Sequence, residues 1–202
     1  KSDQAQLERE IRESYEGSVR KEARLRLADR QKVREIKLPD RPCGIAVLAD
    51  VHLGGDLTDY EALDRDINTI LDTPDLYCVL GGDGIDNHIK HMAAMVAQRI
   101  TPKHQWAWYA DLVAKLAPKL LAVVGGNHEA WCATLTGYDP LKHIVQLHHL
   151  PYDANGMSLT VNVGHTPYNV YIRHKYRFNS GLNASHSVKR MWDNLRTYDI
   201  GI

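Results

Sequence analysis

The stretch Leu76-Tyr77-Cys78-Val79-Leu80-Gly81-Gly82-Asp83-Gly84-Ile85-Asp86 decides the fold. A short apolar run bounded by glycines has the length of a buried strand. The two glycines permit a tight turn, which leaves Asp83 just beyond the strand's carboxyl end. The same phrase occurs twice more. Ile45–Leu48 runs into Ala49-Asp50-Val51-His52 with Gly54 and Gly55 behind it, and Leu120–Val124 runs into Gly125-Gly126-Asn127-His128-Glu129. Helical patterns separate the three. Leu63, Ile67, Ile70 and Leu71 make one face behind a Thr58–Glu61 capping box, and Thr101-Pro102 opens a second helix towards Lys115. Strand, helix, strand, helix, strand predicts an α/β fold.

Outward from this centre the pattern continues. Asp139-Pro140 starts a helix near His143–His149, and Ser158–Val163 and Tyr168–Arg173 alternate as paired strands around Gly164–Pro167. A helix over Ser185–Arg196 and a strand opening at Asp199–Ile202 close the sequence. Upstream, residues 1–37 read as a charged helix with Leu7, Ile11, Tyr15 and Val19 on one side, interrupted at Gly17. Its first 19 residues carry three basic and five acidic groups, and residues 20–37 carry eight and three, so the charge changes sign along it. A solvated helix that docks on the domain, on a partner chain or on a second copy is expected. Pro39 and Pro42 mark a linker, which predicts a charged segment over 1–40 and a domain over 41–202.

With 202 residues, 44% of them hydrophobic and 25% charged, the chain suits a globular domain and not a disordered or fibrous one. The formal net charge is zero, so no global field attracts a polyanion and any nucleic-acid contact must be local. No apolar run approaches the roughly 18 residues of a membrane span, so no membrane partner is expected. Cys43, Cys78 and Cys132 are too scattered for a disulfide framework or a thiolate zinc site, which predicts a reducing, cytoplasmic setting. The chain opens on Lys1 with no signal-peptide pattern.

Carboxylate, carboxamide and imidazole groups that collect outside the carboxyl ends of neighbouring strands are placed for chemistry. Oxygen and nitrogen donors without thiolate suit divalent ions such as Mn2+, with Fe, Zn2+ or Ni2+ as alternatives. Asp50-Val51-His52, Gly82-Asp83-Gly84-Ile85-Asp86 and Gly126-Asn127-His128-Glu129 resemble, in order and spacing, the D-x-H, GD-x-x-D and GNH-D/E motifs of calcineurin-like metallophosphoesterases. The resemblance implies a β-sandwich flanked by helices. It also implies hydrolysis of a phosphoester by hydroxide held between two divalent ions. Asp50 and His52 would bind the first ion, Asp83 would bridge both, and Asn127 would bind the second. His128 would act on the transition state or the leaving oxygen, oriented by Asp86.

The family places one more histidine ligand after a later strand. Between His165 in the expected turn and His174 at the strand end, side-chain direction favours His174, which shares parity with Val170 and Ile172. His88, His91, His104, His143, His148, His149 and His186 have no comparable placement and are expected on the surface or in the core. The family's closing Gly-His-x-His pair does not occur in these 202 residues, which predicts a longer parent chain. Asn87 stands where protein phosphatases of the family carry an arginine that grips phosphate. This shifts the expectation from phosphoproteins to a phosphodiester or nucleic acid, with Asn87 and Arg177 as substrate contacts. The alternatives are a phosphomonoesterase or nucleotide phosphatase, and a non-catalytic binding module. Arg173, Lys175, Arg177, Lys189, Arg190 and Arg196 form a basic tract that could meet phosphates. Trp106, Trp108 and Tyr109 share one helix and read first as packing residues.

Overall fold

The computed structural model describes residues 6, 8–13, 15–17, 34–90, 92–176, 185–195 and 198–202. The chain divides at Val33/Arg34 into two units. In the first, residues 8–13 and 15–17 are helical, with Ile11 and Tyr15 exposed. Leu7 and Val19 of the expected stripe lie outside the described residues.

The second unit is built on two four-stranded sheets. One holds β2 (Gly44–Leu48), β3 (Leu76–Leu80), β4 (Leu120–Val124) and β5 (Tyr152–Asp153) in that order, all parallel. The other holds β1 (Arg34–Leu38), β6 (Met157–Val163), β7 (Thr166–Ile172) and β8 (Ile200–Gly201). Between the strands lie α1 (Tyr60–Asp72), α2 (Met92–Ala97), α3 (Pro102–Leu116), α4 (Asn127–Thr136), α5 (Pro140–Leu147) and α6 (His186–Leu195). This is the helix-flanked sandwich that the alternating pattern and the resemblance imply.

Two apolar cores explain why β3 and β4 are hydrophobic along their whole length. Cys78, Leu80 and Val123 pack with Tyr109, Val113 and Leu116 of α3 and with Leu141 and Val145 of α5. Val79, Ala122 and Val124 face the other way, against Leu159, Val161, Val170 and Ile172 of the second sheet. Strands buried on both faces read as continuous apolar runs. The register slips between Cys78 and Val79, which pair with Leu120 and Ala122. Leu121 is therefore the extra residue of a bulge, and it joins Ala122 on the inter-sheet side. On β6 and β7 the alternation is regular, with Met157, Leu159, Val161, Val170 and Ile172 inward.

Several expectations shift. Arg34–Leu38 belongs to a strand, paired in parallel with β6, and not to the charged helix, so the sandwich begins at residue 34. Pairing and the burial of Leu38 outweigh the local charge. The cap of α1 is Asp59, whose carboxylate accepts the Ala62 N–H at 2.9 Å. Thr58 instead donates its hydroxyl to the His52 carbonyl at 2.6 Å, and so holds the loop after β2. Pro140 does sit in the first turn of its helix, behind an Asp139 cap. Residues 127–136, expected only as a strand end, continue into α4. Among the described residues no helix is long and apolar enough to cross a membrane.

Candidate metal centre and active site

The loops after β2 and β3 run side by side as an extension of the sheet. Asp50 N–H donates to Gly82 O at 3.0 Å, His52 N–H to Asp83 O at 3.0 Å and Leu53 N–H to Gly84 O at 2.9 Å. Three site residues here take left-handed backbone: Asp50 at φ 53°, His52 at 49° and Asp83 at 49°. Such conformations cost about 1 kcal/mol or more each, and they persist where surrounding bonds over-determine them. The stitched loops supply those bonds, and the conformations turn the three side chains towards one another.

Glu129 locks this arrangement from the third loop. It sits at the third position of α4, 2% exposed. Its Oε2 accepts the N–H groups of Gly126 at 2.8 Å and Asp83 at 3.0 Å. Its Oε1 accepts those of Gly84 at 2.7 Å and Ile85 at 3.4 Å. Burial pushes its pKa up, while the Gly126 and Gly84 amides oppose that push. Acceptance at both oxygens marks the carboxylate form.

Asp83 is 4% exposed and central. Its Oδ1 accepts the His128 N–H at 2.9 Å, and its Oδ2 lies 3.2 Å from His174 Nε2 and 3.9 Å from His128 Nε2. Burial alone would raise its pKa, but the His174 contact and the His128 amide outweigh burial and hold it below the ordinary carboxylate range. The same Asp83 contact raises the His174 pKa against burial. Backbone approach here is close. A Cβ on Gly126 would lie 2.1 Å from Asp83 Oδ1. Gly126→Ala is accordingly expected to cost about 1–3 kcal/mol by overpacking and to displace the Asp83 carboxylate, read as a lower melting temperature with weakened Mn2+ binding.

Two of three histidines share one design. His174 Nδ1 donates to Gly81 O at 2.9 Å, His128 Nδ1 donates to Asp86 O, and His52 Nδ1 lies 3.5 Å from Asp86 Oδ1. In His174 and His128 the Nδ1 side is hydrogen-bonded to a main-chain oxygen, which leaves Nε2 for the site, whereas the buried His52 Nδ1 only approaches Asp86 Oδ1 and makes no hydrogen bond. His52 Nε2 faces Asp50 Oδ1 at 3.9 Å. Asp86 thus holds His128 through its main-chain carbonyl, whereas its carboxylate faces His52 and, through Oδ2 at 3.3 Å, His88.

Donor atoms of Asp50, Asp83 and His174 lie within 4.8 Å of one another, as do those of His52, Asp86 and His128. A separation of 3.2 Å between Asp83 Oδ2 and His174 Nε2 is close to the edge of a coordination shell with bonds of about 2.1 Å. Mixed oxygen and imidazole donors without thiolate therefore fit divalent ions. Burial pushes the Cys78 thiol up to about 11, consistent with a packing role. These groups set His174 beside Asp50 and His52 beside Asp86, while His52 Nε2 also lies 3.9 Å from Asp50 Oδ1, the pair expected to share the first ion. Asn127 is exposed as the first residue of α4, between Gly126 and His128.

Asn87 departs from its expected role as a substrate contact. It is fully buried at φ 41°, with its side-chain N–H donated to His128 O at 2.7 Å, so it braces the His128 loop. Arg177 and Arg196 lie outside the described residues. His165 is exposed in the two-residue turn between β6 and β7. Tyr109 is buried behind Gly84 and Trp106 packs against the first core, whereas Trp108 stays exposed, edge-on to Tyr60. Sequence reading missed the Glu129 clamp and the approach of His88 to Asp86.

A cleft of about 480 Å³ opens over this centre, lined by Asp50, His52, Asp56, Asp59, Asp86, His88 and His128 among others. A family model described as calcineurin-like phosphoesterase matches residues 44–200. Neither a curated protein nor a solved structure matches the chain significantly.

Proposed function

Since the chain belongs to the calcineurin-like phosphoesterases, which makes it a metal-dependent phosphoester hydrolase, we propose that its substrates are phosphodiesters and its working ion Mn2+. The observation that supports the diester preference is the charge of the cleft. Asp50, Asp56, Asp59 and Asp86 line it and no lysine or arginine does so among the described residues; with Asp50 a candidate ion ligand and Asp56 3.5 Å from Arg99, Asp59 and Asp86 carry the argument. A phosphomonoester carries about −1.5 to −2 at neutral pH, a diester only one charge. Carboxylate walls therefore repel the monoester more strongly.

Asp50, His52, Asp83, Asn127 and His174 would hold the ions. When bound, they would supply a water activated near neutral pH and neutralise charge at phosphorus. His128 would hold the proton for the leaving oxygen at Nε2, its Nδ1 tied to the Asp86 carbonyl. Asp86 would orient His52 with its carboxylate. Glu129 would keep the three loops in register before any substrate arrives.

The test compares bis(4-nitrophenyl) phosphate, 4-nitrophenyl phosphate and a single-stranded oligonucleotide with Mn2+. The diester is expected to show kcat/KM at least about tenfold above the monoester, equivalent to about 1.4 kcal/mol of discrimination. A reversed preference would overturn the diester reading. Cleavage of the oligonucleotide would place the enzyme among nucleases.

A further inference from the structure

His88 sits in the cleft but its ring is turned the other way from those of its neighbours, because Nε2 faces the Asp86 carboxylate. Unusual effort holds it there. Its N–H donates to Gln98 Oε1 at 3.1 Å, and its carbonyl accepts Gln98 Nε2 at 2.8 Å, so one side-chain amide clamps both main-chain groups. Gln98 is held in turn by Gln105, whose Nε2 donates to Gln98 Oε1 at 3.0 Å and to Ile100 O at 2.8 Å. Gln105 is fully buried on α3, and its Oε1 accepts the Asn87 N–H at 2.6 Å. Asn87 then donates to the His128 carbonyl. A buried glutamine is costly unless its donors and acceptors are satisfied; here the acceptor is satisfied by Asn87, next to Asp86, and the donors by Gln98 and Ile100.

We propose that the Gln105–Gln98–His88 relay is a positioning device for Asp86. His88 Nε2 lies 3.3 Å from Asp86 Oδ2, which leaves Oδ1 as the acceptor nearest the buried, otherwise unpartnered His52 Nδ1, at 3.5 Å, with His52 Nε2 on the side of Asp50. His88 therefore acts through the carboxylate and the second imidazole. The inference rests on the phosphoesterase reading, in which His52 is a ligand. Partners that orient a metal-bound histidine are typically worth about 10–100-fold in metal affinity or activity.

The experiment uses the full chain and three variants: His88→Phe, which keeps a ring but removes the N–H; His88→Gln, whose amide can still donate to Asp86; and Gln98→Ala. Long-range nitrogen–proton NMR of the metal-free protein reads the His52 tautomer, and counting free Mn2+ by electron spin resonance reads affinity. Wild type is expected to hold the proton of His52 on Nδ1. His88→Phe should lose that single tautomer and bind Mn2+ about tenfold or more weaker, Gln98→Ala should move the same way, and His88→Gln should restore most of both. An unchanged tautomer and affinity in His88→Phe would overturn the relay while leaving the phosphoesterase reading intact. Wild type that binds no divalent ion and turns over no phosphoester would overturn the reading itself, and the relay's purpose with it. If His88→Phe and His88→Gln lose affinity equally, with equal losses of melting temperature, the role is structural and the proposal fails.

Discussion

Glu129→Ala is expected to destabilise the protein by about 3–5 kcal/mol, within the range for breaking a buried hydrogen-bonded charge. The substitution strands the N–H groups of Asp83, Gly84, Ile85 and Gly126, which all converge on one carboxylate. Each orphaned buried donor costs about 1–3 kcal/mol. The longest of the four bonds, 3.4 Å to Ile85, contributes least, and water entering the vacated space offsets part of the remainder. For a domain of this size the shift in melting temperature is about 2–4 °C per kcal/mol, so a fall of about 6–20 °C is expected. Glu129→Gln should fall between, because its carbonyl still accepts while its NH2 opposes a donor. Thermal and urea unfolding measure both. A loss under about 1 kcal/mol would mean that the bonds between the loops after β2 and β3 suffice without the clamp.

Local signals carried the strands of the centre. Five apolar residues followed by glycine and a polar ligand type were legible at β3 and β4 because both faces of those strands are buried. The choice of His174 over His165, once the resemblance called for a further histidine, came from parity with Ile172, which is fully buried. What escaped depends on meetings between distant segments. Arg34–Leu38 looks like part of a charged helix until β6 is available to pair with Glu35 through Lys37. Its inward Ile36 and Leu38 are two apolar signals against the charges of Arg34, Glu35 and Lys37. The start of α4 carries a real local cue, glycine at the cap with glutamate three positions on, obscured because Asn127 and His128 also end a strand motif. The reach of Glu129 across 46 positions to Asp83 has no local trace. Likewise, His88 acquires its place only from Gln98 and Gln105, which sequence spacing does not connect to it. Pairwise placement of ligands also stays out of reach of motif order, since it depends on side-chain direction at residues held in left-handed backbone.

Asp83→Asn is expected to abolish Mn2+-dependent turnover, by about a thousandfold or more, while leaving the fold standing. The two halves of that expectation have separate physical grounds. Asparagine is nearly isosteric and, like aspartate, is among the residues that best tolerate positive φ, so the 49° backbone at this position is not further strained. Its carbonyl oxygen can still accept the His128 N–H that Asp83 Oδ1 accepts now. Only the charge and one acceptor are lost, at the point nearest His174 Nε2. That oxygen also lies 3.9 Å from His128 Nε2, and Asp83 belongs to the Asp50–Asp83–His174 donor group. A neutral amide is a poor ligand for a divalent ion beside Asp50, whose exposed carboxylate then remains as the group's single anion. Mn2+ counting by electron spin resonance, run beside a melting curve, separates the outcomes. Lost binding with a melting temperature within a few degrees of wild type would assign Asp83 to the ions. Unchanged turnover would remove it from the centre, and with it the reading of the strand ends as a metal site.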